Sequence, residues 1–251
     1  YFFLGWVLSR QYSPKEIRSA DALKVLIKRV FEPSGEECGT RYDEAVACRY
    51  CGAGARRIGG LILDSKSIPS DTQTAIAKTI AGEIVVSTRL VELFENNGLL
   101  GATFRPILSR GSSNVPLHGW FELVVNSPRL AVTQNTRAGD GPFDEILGVR
   151  TVVEKYQIDD RNWGIWCDVH RQYRCPLGDT LGLNLLSEVS VDGSSFRGYD
   201  IAMTKQYFGV RRGVLRPEPV LVISPRFYRL ISGQDLRGTT FEVCHLVSES
   251  R

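Results

Sequence analysis

Two segments of this sequence match each other at a constant separation of 137 residues, and this match constrains the fold more than any other feature. Each segment, 84–104 and 221–241, contains an apolar strand, a helix after a serine, a glycine near the helix end and a second strand. The identical pairs are Val85/Val222, Ser87/Ser224, Arg89/Arg226, Leu93/Leu230, Leu99/Leu236, Gly101/Gly238, Thr103/Thr240 and Phe104/Phe241. We therefore predict an internal duplication of a strand–helix–strand unit. The alternative is two independent units that share common capping residues.

Upstream of each unit, 76–79 resembles 201–204, and the second copy then carries a 12-residue insertion at about 206–217. Aromatic and arginine side chains are enriched at protein interfaces. The insertion is therefore predicted to be an exposed arm that contacts a partner, and the alternative is a loop that covers a sheet edge. The predicted partner-binding residues are Tyr207, Phe208, Arg211, Arg212 and Arg216.

Arg89 and Arg226 occupy the second position after each predicted helix cap. A cation at that position opposes the helix dipole. We therefore expect each arginine to make an ion pair or to donate to backbone carbonyls of its own copy, with its guanidinium at least half buried. Two alternatives are a groove that binds an acidic partner group and a solvated side chain without a fixed contact.

These patterns predict an α/β fold, with α+β as the alternative, in two lobes built on the repeated unit. The Gly/Ser-rich stretch 109–115 suggests a boundary between an N-terminal lobe, 1–110, and a C-terminal lobe, 111–251. Ser13-Pro14-Lys15-Glu16 resembles a helix start, and apolar residues at helical spacing predict that this helix continues to Val30.

Composition and motifs give no positive support to several classes of function. The net charge of +3, from 31 basic and 28 acidic residues, does not by itself indicate a nucleic-acid partner. No apolar run approaches the ~20 residues of a membrane helix. The apolar start has no basic flank or cleavage site, so a cytoplasmic protein is expected. Phosphate-binding loops and common hydrolase motifs are missing from the sequence, so we expect no enzyme activity.

The strongest chemical signal is Cys48-Arg49-Tyr50-Cys51-Gly52, a pair of thiols at the spacing of a zinc knuckle. A tetrahedral site needs two more ligands. The predicted metal residues are Cys48, Cys51, Cys38 and Cys175, with Cys167 and His170 as substitutes. The cofactor is predicted to be a structural Zn²⁺. A redox pair, unpaired core cysteines and a catalytic Cys167–His170 pair are the alternatives.

The Cys48-x-x-Cys51-Gly52 motif occurs together with a C-terminal pattern that runs from Pro219 to Glu242. In this combination the sequence resembles the double-CXXCG motif proteins, a family of bacterial paralogs. The second CxxCG of that family corresponds here to Cys175-Pro176-Leu177-Gly178, which lacks one cysteine. The resemblance implies an immunity-type protein that neutralises a toxin or another product of a neighbouring gene.

The sequence thus favours a non-enzymatic, zinc-stabilised binding protein that occludes a partner protein. The alternative is a zinc-stabilised nucleic-acid-binding module that uses the arginines of the insertion. An enzyme without a recognisable motif is the third hypothesis.

Overall fold

The computed structural model describes residues 10–69, 74–139, 175–209, 211, 213–234 and 237–247. The elements of its first half, in chain order, are α1 (Pro14–Ser19), β1 (Ala22–Ile27), β2 (Val30–Phe31), β3 (Arg41–Asp43), β4 (Arg56–Ile58), β5 (Ile62–Leu63), β6 (Ile76–Thr79), β7 (Ile84–Ser87), α2 (Thr88–Asn96), β8 (Ala102–Ser109) and β9 (Ser112–Val125). Those of its second half are β10 (Ala138–Gly139), β11 (Asn184–Leu185), β12 (Val189–Asp192), β13 (Ile201–Phe208), β14 (Glu218–Ile223), α3 (Pro225–Ser232) and β15 (Thr239–Val247).

Strands outnumber helices in the described part of the chain, and they form two large sheets. The first sheet has the order β2-β6-β7-β9-β8-β5, and the second has the order β12-β15-β1-β14-β13. Two-stranded ribbons, β3-β4 and β10-β11, complete the strand pairing. Most neighbouring strands are antiparallel, so the predicted mixture of α and β structure is present in an arrangement closer to the α+β alternative.

The N-terminal helix is much shorter than predicted. Ser13 and Glu16 form a capping box at the predicted start, but α1 ends at Ser19. The residues expected to continue it form β1, the central strand of the second sheet. Leu23 is fully buried there, paired with Ile223 on one side and Val243 on the other. Tertiary pairing therefore overrides the helical spacing of the apolar residues.

Both predicted strand–helix–strand segments contain these three elements in this order: β7, α2 and β8 in one, β14, α3 and β15 in the other. Ser224 caps α3 by accepting from the backbone N–H of Phe227, and Pro225 occupies the first turn. Ser87 precedes α2 without a side-chain cap bond. Capping therefore matches the sequence prediction at the second helix only.

The two large sheets do not follow the predicted boundary between lobes 1–110 and 111–251, because each includes a strand from the other lobe. The N-terminal strand β1 lies between β14 and β15 in the second sheet, and β9 lies between β7 and β8 in the first. The Gly/Ser-rich stretch forms the turn between β8 and β9 rather than a linker between sheets. We call this arrangement the reciprocal strand exchange.

The main apolar core lies where the two sheets and the helices α2 and α3 meet. It includes Leu90 and Phe94 of α2, Phe227 of α3 and Ile223 of β14. The ring of Phe94 packs edge-on against Phe227, with centroids 5.5 Å apart. No helix within the described ranges is long and apolar enough to cross a membrane.

Candidate metal centre

The Cys48–Cys51 segment lies in the loop that joins β3 to β4. The backbone N–H of Cys48 donates to the carbonyl of Ala53 at 2.8 Å, and that of Gly52 donates to the carbonyl of Cys48 at 2.8 Å. Gly52 has a φ of 70°, in the left-handed region that glycine adopts most easily. The glycine therefore closes a tight turn with both cysteines on it.

A second tight turn begins at Cys175. Its backbone N–H donates to the carbonyl of Thr180 at 2.8 Å, and the N–H of Gly178 donates to the carbonyl of Cys175 at 2.9 Å. Strand β13 fixes this turn, because the N–H of Tyr207 donates to the carbonyl of Asp179 at 2.8 Å. Both turns are thus closed by a bond from a cysteine N–H to the carbonyl five residues later.

The two turns bring together three thiols and one carboxylate. One ligand atom each from Cys48, Cys51, Cys175 and Asp179 lies within 4.8 Å of all the others. The sulfurs of Cys48 and Cys175 are 3.5 Å apart, and a carboxylate oxygen of Asp179 is 3.7 Å from the Cys175 sulfur. Tetrahedral zinc with Zn–S bonds of about 2.3 Å separates its sulfurs by about 3.8 Å. The cluster therefore has the dimensions of a four-coordinate metal site.

Burial disfavours negative charge on these thiols when no cation is near. Burial raises the pKa of Cys48 to about 12, although backbone N–H groups of Cys51 and Tyr50 act in the opposite direction. Burial also raises the pKa of Cys51. A metal ion binds thiolates and would supply the charge that stabilises them.

The structure brings together three of the four predicted metal residues. Cys38 lies elsewhere, buried in a short 3-10 helix, Glu36–Cys38, outside the cluster. The substitutes Cys167 and His170 lie outside the described residues. Asp179, which the sequence analysis missed, supplies the fourth ligand atom. Its signal was its position directly after Cys175-Pro176-Leu177-Gly178, where the second cysteine of that turn is missing.

The described part of the insertion before the second segment packs against the cysteine loop and nearby residues instead of projecting as an exposed arm. Arg216 contacts Glu36 at 3.0 Å and Glu44 at 2.7 Å, and its guanidinium lies over the ring of Tyr42. Arg211 contacts Glu44 at 3.3 Å. The two arginine side chains are only 10% and 12% exposed because they face these partners.

Two further predicted partner-binding residues, Tyr207 and Phe208, also make contacts within the fold. Tyr207 pairs with Pro219 and supports the Cys175 turn, and Phe208 packs against a second apolar cluster that includes Val220 and Val222 of β14. Arg212 lies outside the described residues. The contacts within the fold are sufficient to explain where the described residues of this set lie. Partner binding by the set therefore stays a prediction.

We expect Arg216→Ala to lower the free energy of unfolding by about 2 kcal/mol, because it leaves Glu44 and Glu36 without this cation and removes a cation–π contact. Arg56→Ala is the matched control: Arg56 contacts Asp43 at 3.5 Å but is 74% exposed, so its loss should cost less than about 0.5 kcal/mol. Urea unfolding of both variants measures the difference. Equal losses would show that the ion pairs of Arg216 do not hold the insertion in place.

Arg226 and Arg89 each contact the C-terminal end of the other helix. Arg226 donates to the carbonyl of Asn97, the C-cap of α2, and also contacts Asp200 at 3.3 Å. Arg89 donates to the side chain of Gln234, just after α3, at 3.0 Å. The ion pair with Asp200, just before β13, lies within the arginine's own half of the chain, as predicted. The contacts with Asn97 and Gln234 instead join the two segments, whereas bonds within one copy were predicted. The Arg226 side chain is 52% exposed, so the predicted burial is not reached.

Comparison with known proteins adds no family to this description. No protein-family model matches the sequence, and no curated protein matches it significantly.

Proposed function

We propose that this chain is a zinc-stabilised, non-enzymatic binding protein. The observation that carries the proposal is the cluster of Cys48, Cys51, Cys175 and Asp179. Thiolate ligands in a four-coordinate set favour Zn²⁺ over Mg²⁺ or Ca²⁺, which prefer oxygen ligands. The four protein ligands would fill a tetrahedral coordination sphere, and a filled sphere is typical of a structural site.

The zinc ion would act as a cross-link between distant parts of the chain. Cys48 and Cys175 are 127 positions apart, and each lies on a turn supported by a different strand system. The β3-β4 ribbon carries the first turn, and β13 supports the second. Metal binding would therefore contribute directly to the free energy of folding.

We also propose that the two segments arose by duplication, and the strand register supports this. The pair Ile76–Val86 in the first sheet corresponds to the pair Ile201–Ile223 in the second. Likewise, β5 is parallel to β8 in the first sheet, and β12 is parallel to β15 in the second. The carbonyl of Gly101 accepts from the backbone N–H of Asn126, and in the second segment the carbonyl of Gly238 accepts from the backbone N–H of Lys28. The two cysteine turns, closed by the same kind of bond, would then be corresponding parts of the two copies.

The partner of such a protein would be another protein, encoded by a neighbouring gene, as the resemblance to the double-CXXCG proteins suggests. A nucleic-acid partner has less support, because Arg211 and Arg216 already contact Glu44 and Glu36. The immunity-type function is therefore the proposal that we put to experiment.

We expect the zinc-loaded chain to form a complex of one-to-one stoichiometry with the product of the adjacent gene when the two are co-expressed. Size-exclusion chromatography with light scattering measures the stoichiometry. The control is a titration with mixed DNA and RNA at two salt concentrations. Tight, salt-dependent binding to nucleic acid, without a complex with the neighbouring protein, would contradict an immunity-type function.

A further inference from the structure

A cavity of about 150 Å³ lies in the main apolar core, between the two sheets and beside α2 and α3. Most of its wall is apolar. The large side chains in this wall include Leu90, Phe94, Phe104, Phe227, Ile231 and Phe241.

This wall combines matching positions from both segments. Phe104 and Phe241 both line the cavity, as do Ile76 and Ile201, and Leu90 and Phe227. The partners in the first and third pairs are 137 residues apart, and those in the second pair correspond in the aligned strands β6 and β13. The cavity is therefore formed where the two segments face each other.

The cavity opens to solvent on its polar side, where Ser232, Gln234 and Arg237 are exposed, and its apolar part reaches into the core. Cores are packed as densely as organic crystals, and their few voids are seldom much larger than one water molecule. Water in the apolar part of the cavity would lack hydrogen-bond partners. An apolar cavity of about 150 Å³ is, however, large enough for a benzene-sized molecule. The volume and the apolar wall thus favour a small organic ligand over water.

Among the described residues, the polar side chains of the wall lie along one connection. Ser232, Gln234, Arg237 and Thr239 line the cavity along the path from α3 to β15. The matching residues between α2 and β8 are absent from the wall formed by the described part of the chain. Because the polar side chains lie on one side of the cavity, a matching ligand has an apolar ring with one hydrogen-bonding group on one side.

We propose that this cavity is a binding site for a small molecule with a single aromatic ring and one hydroxyl group, a phenol-type ligand. The ring would pack among the phenylalanine and isoleucine side chains. The ligand hydroxyl would donate to the side-chain oxygen of Thr239 or of Ser232, whose own hydroxyl donates to the carbonyl of Arg229 at 3.3 Å. None of these residues belongs to the metal cluster, so the proposal does not depend on the proposed function.

Phenol and benzene, titrated separately into the zinc-loaded full chain, are the probes. We expect both to bind at submillimolar to millimolar concentration, with phenol binding several-fold more tightly. Thermal shift and two-dimensional NMR measure the affinities and the residues affected. If neither probe binds, the cavity is only a packing defect and the proposal fails.

Ala75→Leu tests the location, because Ala75 lines the cavity and a larger side chain would occupy it. Binding of both probes should fall at least tenfold. Ala102→Leu is the matched control, because Ala102 packs beside the same core without lining the cavity. Val25→Ile, a smaller change in the wall, provides the same test if Ala75→Leu does not fold. Unchanged affinity in a folded wall variant would overturn the site.

Ser232→Ala combined with Thr239→Val tests the polar side. We expect phenol to lose its several-fold advantage over benzene, while the affinity for benzene stays unchanged. An undiminished preference for phenol in this variant would contradict the assignment of the hydroxyl.

Discussion

Replacing Cys175 with serine is expected to abolish zinc binding and to lower the free energy of unfolding by at least 3 kcal/mol. Cys175 is buried, and its sulfur lies 3.5 Å from that of Cys48 and 3.7 Å from the Asp179 carboxylate. Losing this ligand would remove the cross-link between the two turns, and structural zinc sites contribute a large part of the folding free energy. Elemental analysis and urea unfolding measure the two effects.

Cys38→Ser is the matched control, because it also replaces a buried cysteine but lies outside the cluster. This variant should retain about one zinc per chain. Asp179→Asn should weaken zinc binding without abolishing it, and Asp179→Cys should strengthen it, because thiolate is the better ligand for this metal. One bound zinc in the Cys175→Ser variant would show that the four residues are not the metal site.

Gly101→Ala is expected to be the most damaging substitution among the glycines that the structure describes, with a loss of about 3–5 kcal/mol in the free energy of unfolding. Gly101 has a φ of 110°, and an added Cβ would come within 2.3 Å of the carbonyl oxygen of Ile201. Because that oxygen belongs to the backbone of β13, relief would require the two sheets to move apart. Gly238→Ala should behave similarly, since its Cβ would meet the carbonyl oxygen of Ile76 at 2.6 Å.

Gly98→Ala separates backbone strain from this close approach. Gly98 also has a positive φ, 57°, but an added Cβ would meet no atom within 4 Å. It should therefore cost only about 1 kcal/mol, the penalty for a left-handed alanine. If denaturant unfolding gives the same loss for Gly98→Ala and Gly101→Ala, the methyl group at position 101 is accommodated without a clash with the Ile201 carbonyl.

The local features of the fold were predictable because they depend on neighbouring residues. Ser224 and Pro225 begin a helix as their chemistry requires, and the Cys48-x-x-Cys51-Gly52 spacing predicted a tight turn with two thiols. Cys175 could be predicted as a further ligand, because a proline and a glycine follow it within one short turn.

The features that the sequence analysis missed depend on residues far away in the chain. The apolar spacing of β1 suited a helix, and only its pairing with β14 and β15 makes it a strand. Asp179 resembles an ordinary loop carboxylate until β13 holds its turn beside the cysteines. Arg216 seemed free to bind a partner because Glu36 and Glu44 precede it by more than 170 residues.

The reciprocal strand exchange has a consequence for the order in which the protein is made and folds. During synthesis β1 leaves the ribosome before its pairing partners β14 and β15, which follow it in the chain after all the strands of the first sheet. The first sheet needs nothing later than β9, so it can form while the second still lacks two of its three central strands. Pairings as distant as Leu23 with Ile223 give the chain a high contact order, and such topologies fold slowly. We therefore expect refolding to be slow, with protection of β7, β8 and β9 amides from hydrogen exchange before those of β1.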